Sequence, residues 1–209
     1  MNLNIFSPGK AVQSAIDRPD ARVALLLVLI PTIASAIGSL FFQFPIQWAG
    51  IGIGLLKSIA NWIILGILVY LAAYLVNGKA LRGKFAGVLS AVSLVWIVSL
   101  LATLLGIIFF MTAFPASAMN VLRLNATGQL SPAETGQQLS EILSQSGFVN
   151  GTLALVFFGI GIILLALALL LLYRTISDLA PKNRILTKLI LLIAVLIAWI
   201  NIAYWISVF

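Results

Sequence analysis

Charge in this sequence is gathered into short clusters, and the stretches between them are long, apolar and almost uncharged. The basic residues fall as Lys10, Arg18 and Arg22, then Lys79, Arg82 and Lys84, then Arg174, Lys182, Arg184 and Lys188, with Lys57 and Arg123 elsewhere. A bilayer core about 30 Å thick needs a helix of roughly 20 apolar residues. Backbone inside lipid must also satisfy its own hydrogen bonds, which favours helices. Five stretches meet these conditions: 23–42, 55–76, 85–110, 152–173 and 189–208. Five crossings place ten of the twelve Lys and Arg on one side, and the positive-inside rule makes that side cytoplasmic. The expected fold is all-α: one membrane domain, 1–209, of five transmembrane helices, with the N-terminus cytoplasmic and the C-terminus external.

The composition agrees, since 62% of residues are hydrophobic and only 8% charged, against about a quarter charged in soluble domains. A net charge of +7 would suggest nucleic acid in a soluble protein. Here the basic residues flank apolar runs, so anionic lipid headgroups are the expected partner and nucleic acid is not. The chain has no Cys and no His, which removes disulfides, thiolate metal sites, thiol nucleophiles and the commonest general base.

Residues 1–22 lack the form of a cleavable signal, so the first span is expected to be retained. Ser7-Pro8 starts a helix that Pro19 stops near Asp17. Ile5, Val12, Ala15 and Ile16 share one side of it, and Lys10, Gln13, Ser14 and Asp17 the other, which predicts a short amphipathic helix in the cytoplasmic interface. Pro31 predicts a kink in the first span. An outer connection over 43–57 carries Pro45, Trp48 and the series Gly50, Gly52 and Gly54. Asn77-Gly78 breaks the chain into the basic turn before Phe85, and Gly83, Gly87 and Ala91 form a small-residue row suited to close helix packing. The external loop, 111–150, holds Ser131-Pro132-Ala133-Glu134, the spacing of a capping box. The helix that follows has Leu139, Ile142 and Leu143 on its apolar edge, with Gly147 and Asn150-Gly151 ending it. Asn125-Ala126-Thr127 and Asn150-Gly151-Thr152 are glycosylation-type triplets on that side.

Ionisable groups within spans mark transport or proton paths, and the only charged candidate is Lys57. At the start of the second span it reads as a boundary anchor whose stem snorkels, with a buried functional role as the alternative. Asn61 and Asn201 read as helix-to-helix hydrogen-bonding groups, with substrate contact as the alternative. The carboxylates cannot pair across the membrane, because Asp17, Asp20 and Asp178 are cytoplasmic while Glu134 and Glu141 are external. No catalytic, metal or cofactor site is expected, and the chain is not expected to be an enzyme.

A proline-containing amphipathic segment ending in Asp17-Arg18-Pro19 precedes the first span. Leu71-Ala72-Ala73-Tyr74-Leu75-Val76-Asn77-Gly78-Lys79 then leads through the basic turn to Phe85. This order resembles the Yip domain family, membrane proteins first named for interaction with Ypt/Rab GTPases. With about twenty residues before its first span, the chain is similar to the short prokaryotic form. The resemblance implies a five-span helical fold with a cytoplasmic N-terminus. Cell membrane is the expected location in a prokaryote, and endoplasmic reticulum or Golgi in a eukaryote.

The expected function is that of a non-enzymatic adaptor or membrane organiser. Its candidate contacts with anionic lipid, a membrane-protein partner or a second copy are Lys79, Arg82, Lys84, Arg174, Lys182, Arg184 and Lys188. The alternative is a small transporter or channel using Lys57, Asn61 and Asn201.

Overall fold

The computed structural model describes residues 7–42, 44, 48–81, 83–112, 114–146 and 151–208, with side chains other than those of 79, 80, 146 and 206–208. Among them the regular structure is entirely helical, without strands. The helices are α1 (Pro8–Asp17), α2 (Ala21–Phe41), α3 (Trp48–Asn77), α4 (Phe85–Val92), α5 (Leu94–Thr112), α6 (Ala116–Ala126), α7 (Pro132–Ser146), α8 (Gly151–Leu179) and α9 (Ile185–Val208). A 3-10 turn, Gly78–Leu81, follows α3. Five stretches are long and apolar enough to cross a membrane: α2, α3, α4 with α5, α8, and α9 as far as Trp205. The fold is an all-α membrane bundle, with α6 and α7 between the third and fourth spans.

Helices α2, α5, α8, α9 and α3 each touch the next, and α3 closes the ring on α2. Inside it sits α4, against α1, α2, α3 and α8. The main buried cluster includes Ala24 and Val28 of α2, Leu65 and Val69 of α3, Val88 and Val92 of α4, Ile176 and Leu179 of α8, and Leu192 and Val195 of α9. All of these lie in the half of the bundle nearest the basic clusters, here the basic end. Toward α6 and α7, the hairpin end, the bundle opens. Between α5 and α8 runs an apolar groove of about 770 Å³, lined by residues such as Ala102, Gly106, Phe109, Ala154, Phe158 and Gly161.

Local chemistry accounts for the main features. Asp20 caps α2: one carboxylate oxygen accepts from the backbone N–H of Arg22 at 3.0 Å and of Val23 at 3.1 Å. The stretch expected as an outer connection is already helix from Trp48, so Gly52 and Gly54 lie inside α3. Glycine weakens a helix by about 1 kcal/mol relative to alanine, but here it permits close packing. A Cβ on Gly54 would lie 3.2 Å from the Thr32 methyl, and one turn on the Thr32 and Ser58 hydroxyls are 2.8 Å apart. Pro31 is buried within α2, which continues on both sides.

The third span breaks at Ser93 without proline or glycine. The Ser93 hydroxyl donates to the Ser90 carbonyl at 2.8 Å, and the Trp62 indole donates to the Leu89 carbonyl at 2.9 Å. Both carbonyls are thus claimed by side chains at the last turn of α4, a recognised cause of helix bending. The break separates α4, inside the ring, from α5, which runs between α2 and α8.

The amphipathic α1 docks on protein. Ala11, Val12 and Ala15 are fully buried, in one cluster with Ala91, Leu94, Val98 and Leu171. At Gly87 a Cβ would meet the Ile16 carbonyl oxygen at 2.6 Å and Ile16 Cα at 3.0 Å. The small-residue row therefore receives α1, through Gly87 and Ala91. Gly83 lies outside this contact, in a turn at φ +78 where a Cβ meets nothing. Ile5, expected on the same face, lies outside the described residues.

At the hairpin end the capping box forms as its spacing predicts. Glu134 accepts from the Ser131 N–H at 2.8 Å, and the Ser131 hydroxyl accepts from the Glu134 N–H at 3.3 Å. Helix α6 was not foreseen: its eleven residues lack a cap signal other than Pro115. The expected stop at Gly147 and Asn150 lies outside the described residues.

Two outcomes follow. Gly87→Leu places side-chain atoms against Ile16 backbone, which cannot retreat as a side-chain tip can. Overpacking of this kind costs about 1–3 kcal/mol, enough to raise the undocked fraction of α1 roughly tenfold. In this cysteine-free chain, Ala15→Cys should label slowly with a maleimide in detergent, and much faster when combined with Gly87→Leu. In α7, hydrogen bonds from Ser131 hold Glu134 below its ordinary value of 4.5. A lowered folded value means stabilisation that is full above the ordinary range and lost as pH falls through the lowered value. Hydrogen exchange should show α7 better protected in the wild type than in Glu134→Gln at neutral pH, with the difference closing in acid.

Candidate functional site

The best-defined polar surface is at the basic end, where several helix ends lie together. Lys10, Arg18 and Arg22 are exposed on α1 and at the start of α2, Lys84 before α4, Arg174 on α8, and Lys182 and Arg184 in the turn between α8 and α9. Arg82 and the side chain of Lys79 lie outside the described residues. Docking of α1 against α4 and α8 joins the first basic cluster to the third. Its polar face forms a shallow depression of about 280 Å³ lined by Lys10, Gln13, Ser14, Asp17 and Arg18. Beside it the Asp178 carboxylate is within electrostatic range of Arg174, Lys188 and Asp17.

The expected cytoplasmic loop from Arg174 to Lys188 is mostly helix, with only 180–184 outside α8 and α9. The helices α8 and α9 run through the charged residues without ending at them. At about 1.5 Å per residue, the 29 residues of α8 extend roughly 43 Å, well beyond the hydrocarbon thickness.

Lys188 differs from the other candidate contacts. It is 8% exposed, and its ammonium donates to the Ser177 hydroxyl at 3.0 Å, tying α9 to α8. This position makes it a brace under the surface. Nearby, the Asn77 amide donates to the Leu179 carbonyl at 2.6 Å, across 102 positions of sequence. The bond satisfies a carbonyl in the last turn of α8, where no intrahelical donor is available. Tyr70 donates to the Leu81 carbonyl at 3.3 Å and fastens the turn before α4 to α3. Sequence reasoning treated Asn77 only as a turn residue. An asparagine beside a helix end signals such a bond, but its acceptor is known only from the fold.

The candidate intramembrane residues have different surroundings. About 20 residues back from Asn77, one bilayer thickness, is Lys57, partly buried and close to the opposite boundary. Asn61 has a buried side-chain oxygen without a hydrogen-bond partner. Asn201 is exposed, and its amide donates to the Ile197 carbonyl of its own helix at 2.7 Å. The Trp199 indole N–H is likewise buried and unpaired. Among the described residues no group of three or more His, Cys, Asp and Glu is placed to hold a metal ion.

Asn77 and Asn201 make a matched test. Asn77→Ala leaves a buried helix-end carbonyl unsatisfied and should cost about 1–3 kcal/mol. Asn201→Ala removes an exposed bond within one helix and should cost much less. Thermal unfolding of the two variants in detergent checks the difference.

No family model matches the chain, and neither does any curated protein or solved structure.

Proposed function

We propose that the protein is a non-enzymatic membrane adaptor or organiser. Its basic end faces the cytoplasm and binds anionic lipid headgroups, or a partner carrying a complementary acidic surface. The observation that carries this reading is the gathering of exposed Lys10, Arg18, Lys84, Arg174, Lys182 and Arg184 on one end of an otherwise apolar bundle. The positive-inside rule supports the orientation, with the C-terminus external. Each Lys or Arg near an anionic surface contributes about 1 kcal/mol, so six together give substantial attraction. The likeness to the short Yip form supports the same five-span arrangement, in the cell membrane of a prokaryote or the endoplasmic reticulum or Golgi of a eukaryote. A transport role is less well supported, because Asn201 is occupied by its own helix and Lys57 sits near a boundary.

The test is retention of anionic phospholipid in mixed micelles, read by native mass spectrometry. Changing Arg174, Lys182 and Arg184 together to Gln should weaken retention by roughly a hundredfold, three increments of about 1 kcal/mol. The triple change at Lys79, Arg82 and Lys84 should act in the same direction. Unchanged retention in a correctly inserted protein would remove the electrostatic basis of the proposal.

A further inference from the structure

A second cavity lies at the hairpin end, far from the basic clusters. It measures about 380 Å³, within the roughly 300–1,000 Å³ typical of ligand pockets. Helices α2 and α5 form its sides and α6 lies against it, with Phe42, Phe44 and Phe110 among the lining groups. Three side-chain hydroxyls line it, those of Ser35, Ser39 and Thr103, and two of them make few demands on an occupant. Ser39 donates to the Ala36 carbonyl at 2.7 Å, and Thr103 to the Ser99 carbonyl at 2.9 Å. Both of these protons are spent on their own helices, so an alkyl chain can lie against Ser39 and Thr103 without stranding either donor.

A cation stands at the edge of the cavity. Met119 and Leu122 of α6 line it, and Arg123 follows Met119 at i+4, one turn further along the same helix. Arg123 Nε donates to the Phe42 carbonyl at 2.8 Å, which fixes the guanidinium beside the Phe42 wall. That bond uses Nε, and the two terminal NH2 groups of a guanidinium have the paired geometry that a planar acidic head accepts. Gly106 belongs to the walls of both this cavity and the α5–α8 groove, and a Cβ there would meet nothing within 4 Å. The neighbouring groove gives a tail an apolar continuation toward lipid.

We propose that the cavity between α2, α5 and α6 binds a single-chain amphiphile with an acidic head. The chain lies between the Ser39 and Thr103 walls, and the carboxylate or phosphate sits at Arg123. This site is independent of the reading given for the basic end.

The test uses the full chain in neutral phosphatidylcholine nanodiscs, with a photoactivatable long-chain fatty acid and the corresponding alcohol as probes. Adducts are located by mass spectrometry after digestion. The wild type should label within α5 and α6, the acid in preference to the alcohol. Gly106→Leu, whose side chain has open space to enter, should cut labelling there, while Gly106→Ala should leave it largely intact. Arg123→Gln should reduce the preference for the acid by roughly tenfold, the loss of one charge-assisted hydrogen bond, and Arg123→Lys should keep part of it. Inorganic phosphate should fail to displace the fatty acid, and full displacement would mean an anion site without a tail site. Equal labelling by acid and alcohol in the wild type would overturn the proposal. So would labelling unaffected by Gly106→Leu in a folded protein, or labelling confined to the outer surfaces of α8 and α9.

Discussion

A methyl group on Gly87 would press on the carbonyl oxygen of Ile16, and this close approach of two backbones holds the basic end together. Where α1 meets α4, Ala11, Val12, Ala15, Gly87 and Ala91 present little more than backbone and methyl groups to one another. Small residues permit such contact, and dispersion over the matched surfaces supports it. An amphipathic helix of ten residues is marginal alone in water. Its burial against α4 and α8 supplies the stability that its length cannot, and carries Lys10 and Arg18 to the α8 end of the bundle.

The bundle is organised along its axis by where side chains fill space. Near the basic end, Trp62, Leu65 and Val69 of α3 meet residues of α2, α4, α8 and α9, and three polar braces join the helix ends: Asn77 to Leu179, Tyr70 to Leu81 and Lys188 to Ser177. Near the hairpin end the same helices leave a groove and a cavity. The break at Ser93 divides these regions. It lets α4 fill the interior at one end while α5 takes a place in the ring at the other. A continuous helix through Ser93 would have to serve both positions along one axis.

The spans were legible because the period and length of apolar runs are local properties. The capping box at Ser131 and Glu134 and the limits of α1 were legible for the same reason, since both depend on residues a few positions apart. The row Gly87-x-x-x-Ala91 announced a close contact but not its partner, which proved to be α1 rather than another span. Charge misplaced the helix ends at Arg174 and Lys188, because it reports the edge of lipid and not the last hydrogen-bonded turn. In the sequence Asn77 is a turn residue and Lys188 one of a surface cluster. Their roles depend on α8 and α9, more than a hundred residues from Asn77, and no pattern within either segment contains that information. At Ser93 the decisive partner is Trp62, which is equally invisible from the residues around the break.

A cytoplasmic basic end requires all three basic clusters to lie on one side of the membrane and the α6–α7 hairpin on the other. Single cysteines at Lys10, Lys84 and Lys182, and a fourth at Gln137 of α7, can be tested in this cysteine-free chain with a membrane-impermeant maleimide in sealed vesicles of known orientation. The first three should react together from the cytoplasmic side, and Gln137→Cys only from the other. Reaction of any basic-cluster position from the same side as Gln137→Cys would contradict this arrangement.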